Sequence, residues 1–235
     1  LFGLKWKELV ESGKLGYFAL LRNLRNILLY VNDEEVFKKV YDILIDRDRI
    51  IKSKVLPFRF LSAYREIGEV ESFGTNLLLS ALEIGVLYSI ENLGDFGNSK
   101  IFIASDVSGS MKNLISARSK ISYKDIGLLL GLLLSNKSRY NIFSCFAERF
   151  KVFSNSFDKT ILGKVDYLYN LGSSTNGHLI IKYLLENDVE VDKLFIFTDM
   201  EMYFTEEDLD KEYVSDFEFS DLWRRYKRLH PNCKL

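Results

Sequence analysis

Two hydrophobic rhythms divide the chain. Up to about residue 93, apolar positions recur three and four apart, the period of an amphipathic helix. In "YFALLRNLRNILLY", Phe18, Leu21, Leu24 and Leu28 form one such stripe, which predicts a helix with those four turned to the core. "NDEEVFKKVYDIL" opens on the capping residues Asn32 and Asp33 with acids behind them, and Val36, Val40 and Ile43 continue at helical spacing. Pro57 suits the first position of a further helix, because the missing N–H would have no partner there anyway. "TNLLLSALEIGVLYSIENL" predicts one more, strongly apolar. Short helices joined by brief links suit two units of a 40- to 47-residue helical repeat, or equally an irregular helical cap.

After "ENLGDFGNSK" the rhythm changes. "KIFIAS", "RYNIFSCFAE", "FKVFS" and "KLFIFT" are short continuous apolar runs. They alternate with the helical stretches "YKDIGLLLGLLLSNKS" (with Ser122 as cap), "DKTILGKVDYLYNL", "HLIIKYLLEN" and "DLWRRYKRLH". Buried parallel strands covered on both faces read this way. The predicted fold is therefore α+α/β: a short helical-repeat segment over 1–93, then a doubly wound, Rossmann-like domain over 94–235.

Composition narrows the function. A hydrophobic share of 47% with 28% charged residues is that of a globular protein. A formal net charge of -1 confines any nucleic-acid contact to a local basic face. The longest apolar run, 126 to 135, is well short of the roughly 20 residues a membrane helix needs. Cys145 and Cys233 make no metal or redox pair, which fits a reducing cytoplasm. A chain that opens on Leu1 rather than Met reads as a fragment or processed product.

In doubly wound sheets, ligands bind beyond the carboxyl ends of the strands. Three loops fall there. "DVSGS" carries Asp106, Ser108 and Ser110, "GSSTNG" carries Thr175, and the segment after "KLFIFT" carries Asp199. If the chain leaves its strand extended, residues 106, 108 and 110 point one way, Val107 turns inward, and Gly109 permits the turn. Three hydroxyls and two carboxylates are hard oxygen donors, suited to Mg²⁺, Mn²⁺ or Ca²⁺ and not to zinc. A phosphatase using Asp106 would need a second Asp where Ser108 stands, and no nucleophile elbow, P-loop or dinucleotide fingerprint appears. His178 and His230 stand alone, His178 beside the second loop. The reading is not an enzyme.

DxSxS followed by Thr and then Asp resembles the metal-ion-dependent adhesion site of von Willebrand factor A domains. By that resemblance Ser108, Ser110 and Thr175 touch the metal directly, Asp106 and Asp199 hold bound waters or alternate as ligands, and an acidic group from a protein partner completes the shell. The helical phrases "KLGYFALLRNLRNILLY" and "KSKVLPFRFLSAY", with "IFTDMEMY" and "LWRRYKRLHPNCKL", are similar to segments of the Ro autoantigen (TROVE) family, in which a ring of helical repeats precedes an A domain. The chain corresponds to the C-terminal part of such a protein, with an A domain lacking its last elements. About 90 helical residues are too few to close the family's ring.

The resemblance implies a cytoplasmic ribonucleoprotein component that binds small noncoding or misfolded RNA. The residues offer their own version of that surface. From 47 to 65 stand Arg47, Arg49, Lys52, Lys54, Arg59 and Arg65 against Asp48 alone, with Phe58, Phe60 and Tyr64 among them. Arg22 and Arg25 lie three apart on the polar side of their helix. Cations can neutralise phosphates and exposed aromatics can stack on bases. The RNA candidates are thus Arg22, Arg25, Lys52, Lys54, Arg59 and Arg65. The competing reading is a metal-dependent protein-interaction module whose helices do not bind RNA.

Overall fold

The computed structural model describes residues 1–91, 96–117, 119–153, 160–168, 174–200 and 216–235, the side chains of 216–218 excepted. Parts of six stretches quoted above, including Gly172 and Ser173 of "GSSTNG" and residues 201–203, lie outside them. The chain divides into two compact units, Leu1–Gly94 and Asp95–Leu235.

The first unit is helical: α1 (Phe2–Glu11), α2 (Tyr17–Tyr30), α3 (Glu34–Leu44), α4 (Arg47–Ser53), α5 (Pro57–Gly68) and α6 (Thr75–Tyr88). Asp33 caps α3, its carboxylate accepting from the Glu35 and Val36 amides at 3.0 and 3.3 Å. Asp46 caps α4 in the same way, accepting from the Arg49 amide at 3.0 Å. Pro57 occupies the first position of α5. Gly85 sets how closely α6 approaches its neighbours. A Cβ there would lie 2.7 Å from the Phe60 ring and 3.1 Å from the Leu44 carbonyl oxygen. That carbonyl also accepts from the buried Tyr17 hydroxyl at 2.9 Å.

Helices α1 and α4 have no counterpart in the sequence reading, for physical reasons. Among the apolar side chains of α1, Phe2, Leu4 and Leu9 are exposed and only Val10 is buried, so no stripe marks it. Seven residues of α4 are too few to show a period. Helix α2 corrects one assignment. Leu21, Leu24 and Leu28 face the core as expected, but the buried stripe is completed by Tyr17, Leu20 and Ile27, while Phe18 is 40% exposed.

The second unit runs β1 (Lys100–Asp106), α7 (Tyr123–Lys137), β2 (Tyr140–Phe146), β3 (Phe150–Phe153), α8 (Ile161–Tyr167), α9 (His178–Glu186), β4 (Lys193–Phe197) and α10 (Asp216–Leu229). The sheet order is β3-β2-β1-β4. β1 pairs in parallel with β2 and β4, whereas β3 returns antiparallel on β2. The sheet is therefore mixed at one edge, because three residues between β2 and β3 allow a hairpin but no crossover. Residues 233–234 come alongside β4 in parallel: the Lys234 amide donates to Asp192 O, and the Leu194 amide to Lys234 O.

Alternation along β1 sorts the two layers. Phe102 and Ala104 join Ile180, Ile181 and Leu184 of α9 and Tyr226 of α10 on one face. Ile103 and Ser105 meet α7 on the other. Gly131 makes that approach possible, since a Cβ there would come within 2.6 Å of Ser105 Oγ and 2.9 Å of the Phe143 ring. Helices on both faces of a largely parallel sheet are the doubly wound arrangement. No helix among the described residues is long and apolar enough to cross a membrane.

Candidate functional site

The carboxyl ends of β1, β2 and β4 carry the oxygen-rich loops. Asp106, the last residue of β1, is fully buried. Its Oδ1 accepts from the Ser108 amide at 2.9 Å and its Oδ2 from the Thr198 hydroxyl at 2.8 Å. Ser108 and Ser110 bring their hydroxyl oxygens to 3.3 Å. The route is not the extended one expected from alternation. Val107 is still tied to β2 through its amide and Phe146 O, and Ser110–Lys112 is a 3₁₀ turn entered through Gly109 at φ -64°. A helical turn, not a pleat, brings Ser110 back over Ser108, and Gly109 adopts a backbone conformation open to any residue.

Thr175 is buried, and its loop is fastened at the end of β2: the Asn176 amide donates to Ala147 O at 3.1 Å. Ser174 Oγ and Asn176 Oδ1, flanking Thr175, are buried without a hydrogen-bond partner among the described residues. Buried oxygens of this kind carry a desolvation cost until something coordinates or donates to them. Asp199, half-buried, follows Thr198, and Met200 at φ +65° turns the chain sharply just beyond it. Met111, Tyr123, Ile126, Phe197, Thr198 and Asp199 also line a groove of about 200 Å³ beside these oxygens.

Electrostatics at this edge are set by burial. The Asp106 carboxyl is pushed above the usual carboxylate range, first by loss of water and further by the charge of Asp199; the Ser108 and Thr198 hydrogen bonds oppose that rise. Lys124, in the first turn of α7, is fully buried. Burial, with the charge of Lys112, pushes its ammonium down to about 8, while Asp106, Asp125 and Cys145 act the other way. Thr198 and Lys124 are the participants that the sequence reading passed over. Thr198 was visible as the hydroxyl beside Asp199. Lys124 was hidden because a lysine in a helix's first turn normally faces water.

No cluster of three or more His, Cys, Asp or Glu side chains suited to a metal occurs among the described residues. The donors gathered at this edge are instead hydroxyls with two carboxylates. Such a set fits a small hard cation such as Mg²⁺ or Mn²⁺.

In the helical unit the basic candidates separate. Arg22, Arg25 and Arg59, all exposed, line a groove of about 250 Å³ between α2 and α5 with Phe18, Asn26 and Glu66. The Arg22 and Arg59 guanidiniums lie 5.7 and 5.6 Å from the centre of the Phe18 ring, and Arg59 lies 4.9 Å from that of Phe58. Lys52 is exposed on α4, Lys54 exposed in a left-handed turn after it, and Arg65 half-buried; these three do not line the groove. Arg47 is paired with Glu91 and Arg49 with Asp46. Phe60, placed among the cations by the sequence, belongs to the core against Tyr17.

A helical unit followed by a doubly wound α/β unit with an oxygen-lined carboxyl edge defines a two-part class of protein. The TROVE domain family matches residues 4–179, spanning the helical unit and much of the second, and the chain belongs to this family. Telomerase protein component 1 of Mus musculus is 36% identical over 67 residues, and that of Rattus norvegicus likewise; the match takes in 28% of this chain and 2% of each relative. The crystal structure of the Ro (RSR) protein of Deinococcus radiodurans superposes with a TM-score of 0.62 over 92% of this chain and 44% of that one, at 19% identity. At that identity the likeness is one of fold. The chain spans less than half the length of each of these proteins.

Proposed function

We propose that this chain is an RNA-binding scaffold of the Ro type, whose α/β unit is a von Willebrand A domain with a divalent-metal site. The observation that carries the RNA half is the groove of Arg22, Arg25 and Arg59 around Phe18. Three exposed cations supply phosphate contacts, and the aromatic already faces guanidiniums, as it would a stacked base. Small noncoding or misfolded RNA is the ligand class that family membership favours, and the cytoplasm the compartment that two free buried thiols suit.

At the carboxyl edge, Ser108, Ser110 and Thr175 would hold Mg²⁺ or Mn²⁺ by their hydroxyls, with Asp106 and Asp199 behind them. The unpartnered Ser174 Oγ and Asn176 Oδ1 support this reading. A bound ion would supply a positive centre for an acidic side chain of a partner protein. Asp106→Ala and Asp199→Ala should each abolish Mn²⁺ binding in calorimetry while the circular dichroism of the fold persists; unchanged affinity in both would sink the metal half.

The RNA half is tested by mobility shifts at two salt concentrations with a short structured RNA bearing a single-stranded end. Arg22→Ala/Arg25→Ala/Arg59→Ala should weaken binding and flatten its salt dependence, each lost phosphate contact lowering the slope by about 0.7 to 0.9. Lys52→Ala/Lys54→Ala should do less. Salt-insensitive or absent binding by the unaltered protein would leave the second reading, a metal-dependent protein-interaction module, which the buried hydroxyl edge favours independently of RNA.

A further inference from the structure

One basic segment lies outside both surfaces described above. From Leu222 to Leu235 stand Arg224, Arg225, Lys227, Arg228 and Lys234, with no Asp or Glu among them. Tyr226 fixes which side of α10 meets the core: it is fully buried, and its hydroxyl donates to Val189 O at 2.9 Å and accepts from the Val191 amide at 3.2 Å. At about 100° per residue, positions 224 and 228 lie opposite that side, with 225 next to them. All three arginines are exposed. Like charges three and four apart on a helix repel, and here Arg224 and Arg225 both neighbour Arg228. Asp221 relieves Arg224 at 2.7 Å, but Arg225 and Arg228 have no ion-pair partner among the described residues. The acids whose charge reaches Tyr226, Glu190 and Asp192, are engaged by Lys100: Glu190 pairs with its ammonium at 3.5 Å, and Asp192 accepts from its amide at 2.7 Å. Cations late in a helix can also serve its carboxyl end. Lys227 already does so, its ammonium donating to Pro231 O and, at 2.7 Å, to Cys233 O. Arg225 and Arg228 therefore hold no contact of the described fold together.

We propose that the outward face of α10 is a second RNA-contacting surface, on which Arg224, Arg225 and Arg228 take backbone phosphates without reading sequence. The inference rests on the reading that the chain binds RNA, but neither on the groove between α2 and α5 nor on the metal edge. A guanidinium suits phosphate because its N–H donors form a fixed fork that two phosphate oxygens can accept from. The other exposed side chains of the helix, Ser220, Asp221 and Leu229, offer no ring on which a base could stack. Contact is therefore with the backbone, which positions an RNA but carries no sequence information. A membrane surface does not fit this face. An interfacial helix inserts its apolar side into the lipid, whereas Phe219, Leu222, Trp223 and Tyr226 are packed into the core of the unit.

The test is fluorescence titration of the full chain with two short single-stranded RNAs of unrelated sequence, each at 50 and 200 mM salt. Arg225→Gln/Arg228→Gln keeps helix-forming side chains and the Arg224–Asp221 pair while removing two phosphate contacts. It should lower the salt slope by about 1.4 on both RNAs, so that the fall in affinity between those salts shrinks about sevenfold. Arg139→Gln/Lys151→Gln, which removes the same charge from exposed positions elsewhere on the unit, should leave the slope in place. An unchanged slope in Arg225→Gln/Arg228→Gln, beside a lowered one in Arg22→Ala/Arg25→Ala/Arg59→Ala, overturns this inference and leaves the groove standing. An equal drop in the Arg139→Gln/Lys151→Gln control overturns it too, since net charge alone is then at work. Loss at α10 with none at the groove supports this inference and removes the groove. No RNA binding by the unaltered chain overturns both.

Discussion

The two candidate surfaces are built in opposite ways. Between α2 and α5 the chemistry sits on long, exposed side chains: Arg22, Arg25 and Arg59 project from helix faces whose other sides hold the core. At the carboxyl edge it sits on short, mostly buried ones, and Asp106, Ser108 and Ser110 already bind one another, Thr198 and the backbone. In the first case binding can be altered without touching the fold. In the second, stability and binding share the same oxygens, so a substitution changes both.

The sharpest test of that contrast sets neighbours on α2 against each other. Leu24→Ala, on the buried side, should lower unfolding free energy by about 2 to 5 kcal/mol in urea titration. Arg22→Ala, two residues away, should stay within about 0.5 kcal/mol. A cost above 1 kcal/mol for Arg22 would make the groove structural and erase the contrast. Next in size, Asp106→Ala should cost about 1 to 3 kcal/mol, because the Ser108 amide and Thr198 hydroxyl lose their acceptor. Unchanged stability there would show that the edge, like the groove, is separable from the fold. Phe18→Ala should weaken RNA binding by about 1 to 3 kcal/mol in fluorescence titration, if a base stacks on the ring, with little change in melting temperature. The smallest loss expected at the second unit belongs to the capping pair of α7: Ser122→Ala should cost about 0.5 to 2 kcal/mol.

Much of the architecture was legible, and the failures are instructive. The switch from helical to strand periodicity near residue 100, the caps at Asp33 and Ser122, and Pro57 at a helix start are local signals that the structure keeps. The antiparallel β3 was not legible as such, since a strand's direction is decided by its connection and not by its composition. Periodicity also exchanged the roles of two phenylalanines. Phe18 lies at the border of the α2 stripe, where three- and four-residue spacing cannot fix the side, while Phe60 is flanked by Arg59 and yet points to the core. That Asp106, Ser108 and Ser110 share one loop was readable from the sequence, but alternation gave the wrong route, and the turn that brings the two hydroxyls together was not readable. Lys124 was unreadable because its burial depends on how α7 meets the sheet.

One feature of the sheet has a kinetic consequence. Cys145 pairs with Ser105 in the β1–β2 ladder, is wholly buried, and has its thiol pushed far up by that burial, though Lys124 and Lys151 oppose the rise. Only an exposed thiolate reacts with an alkylating or disulfide reagent. In the closed sheet Cys145 is therefore silent, and each modification event records a moment when the strands beneath the oxygen-rich edge have parted. The rate of Cys145 labelling in a Cys233→Ser background would count those openings directly. It should fall when Mn²⁺ is added, so the protein carries its own clock for the breathing of this edge.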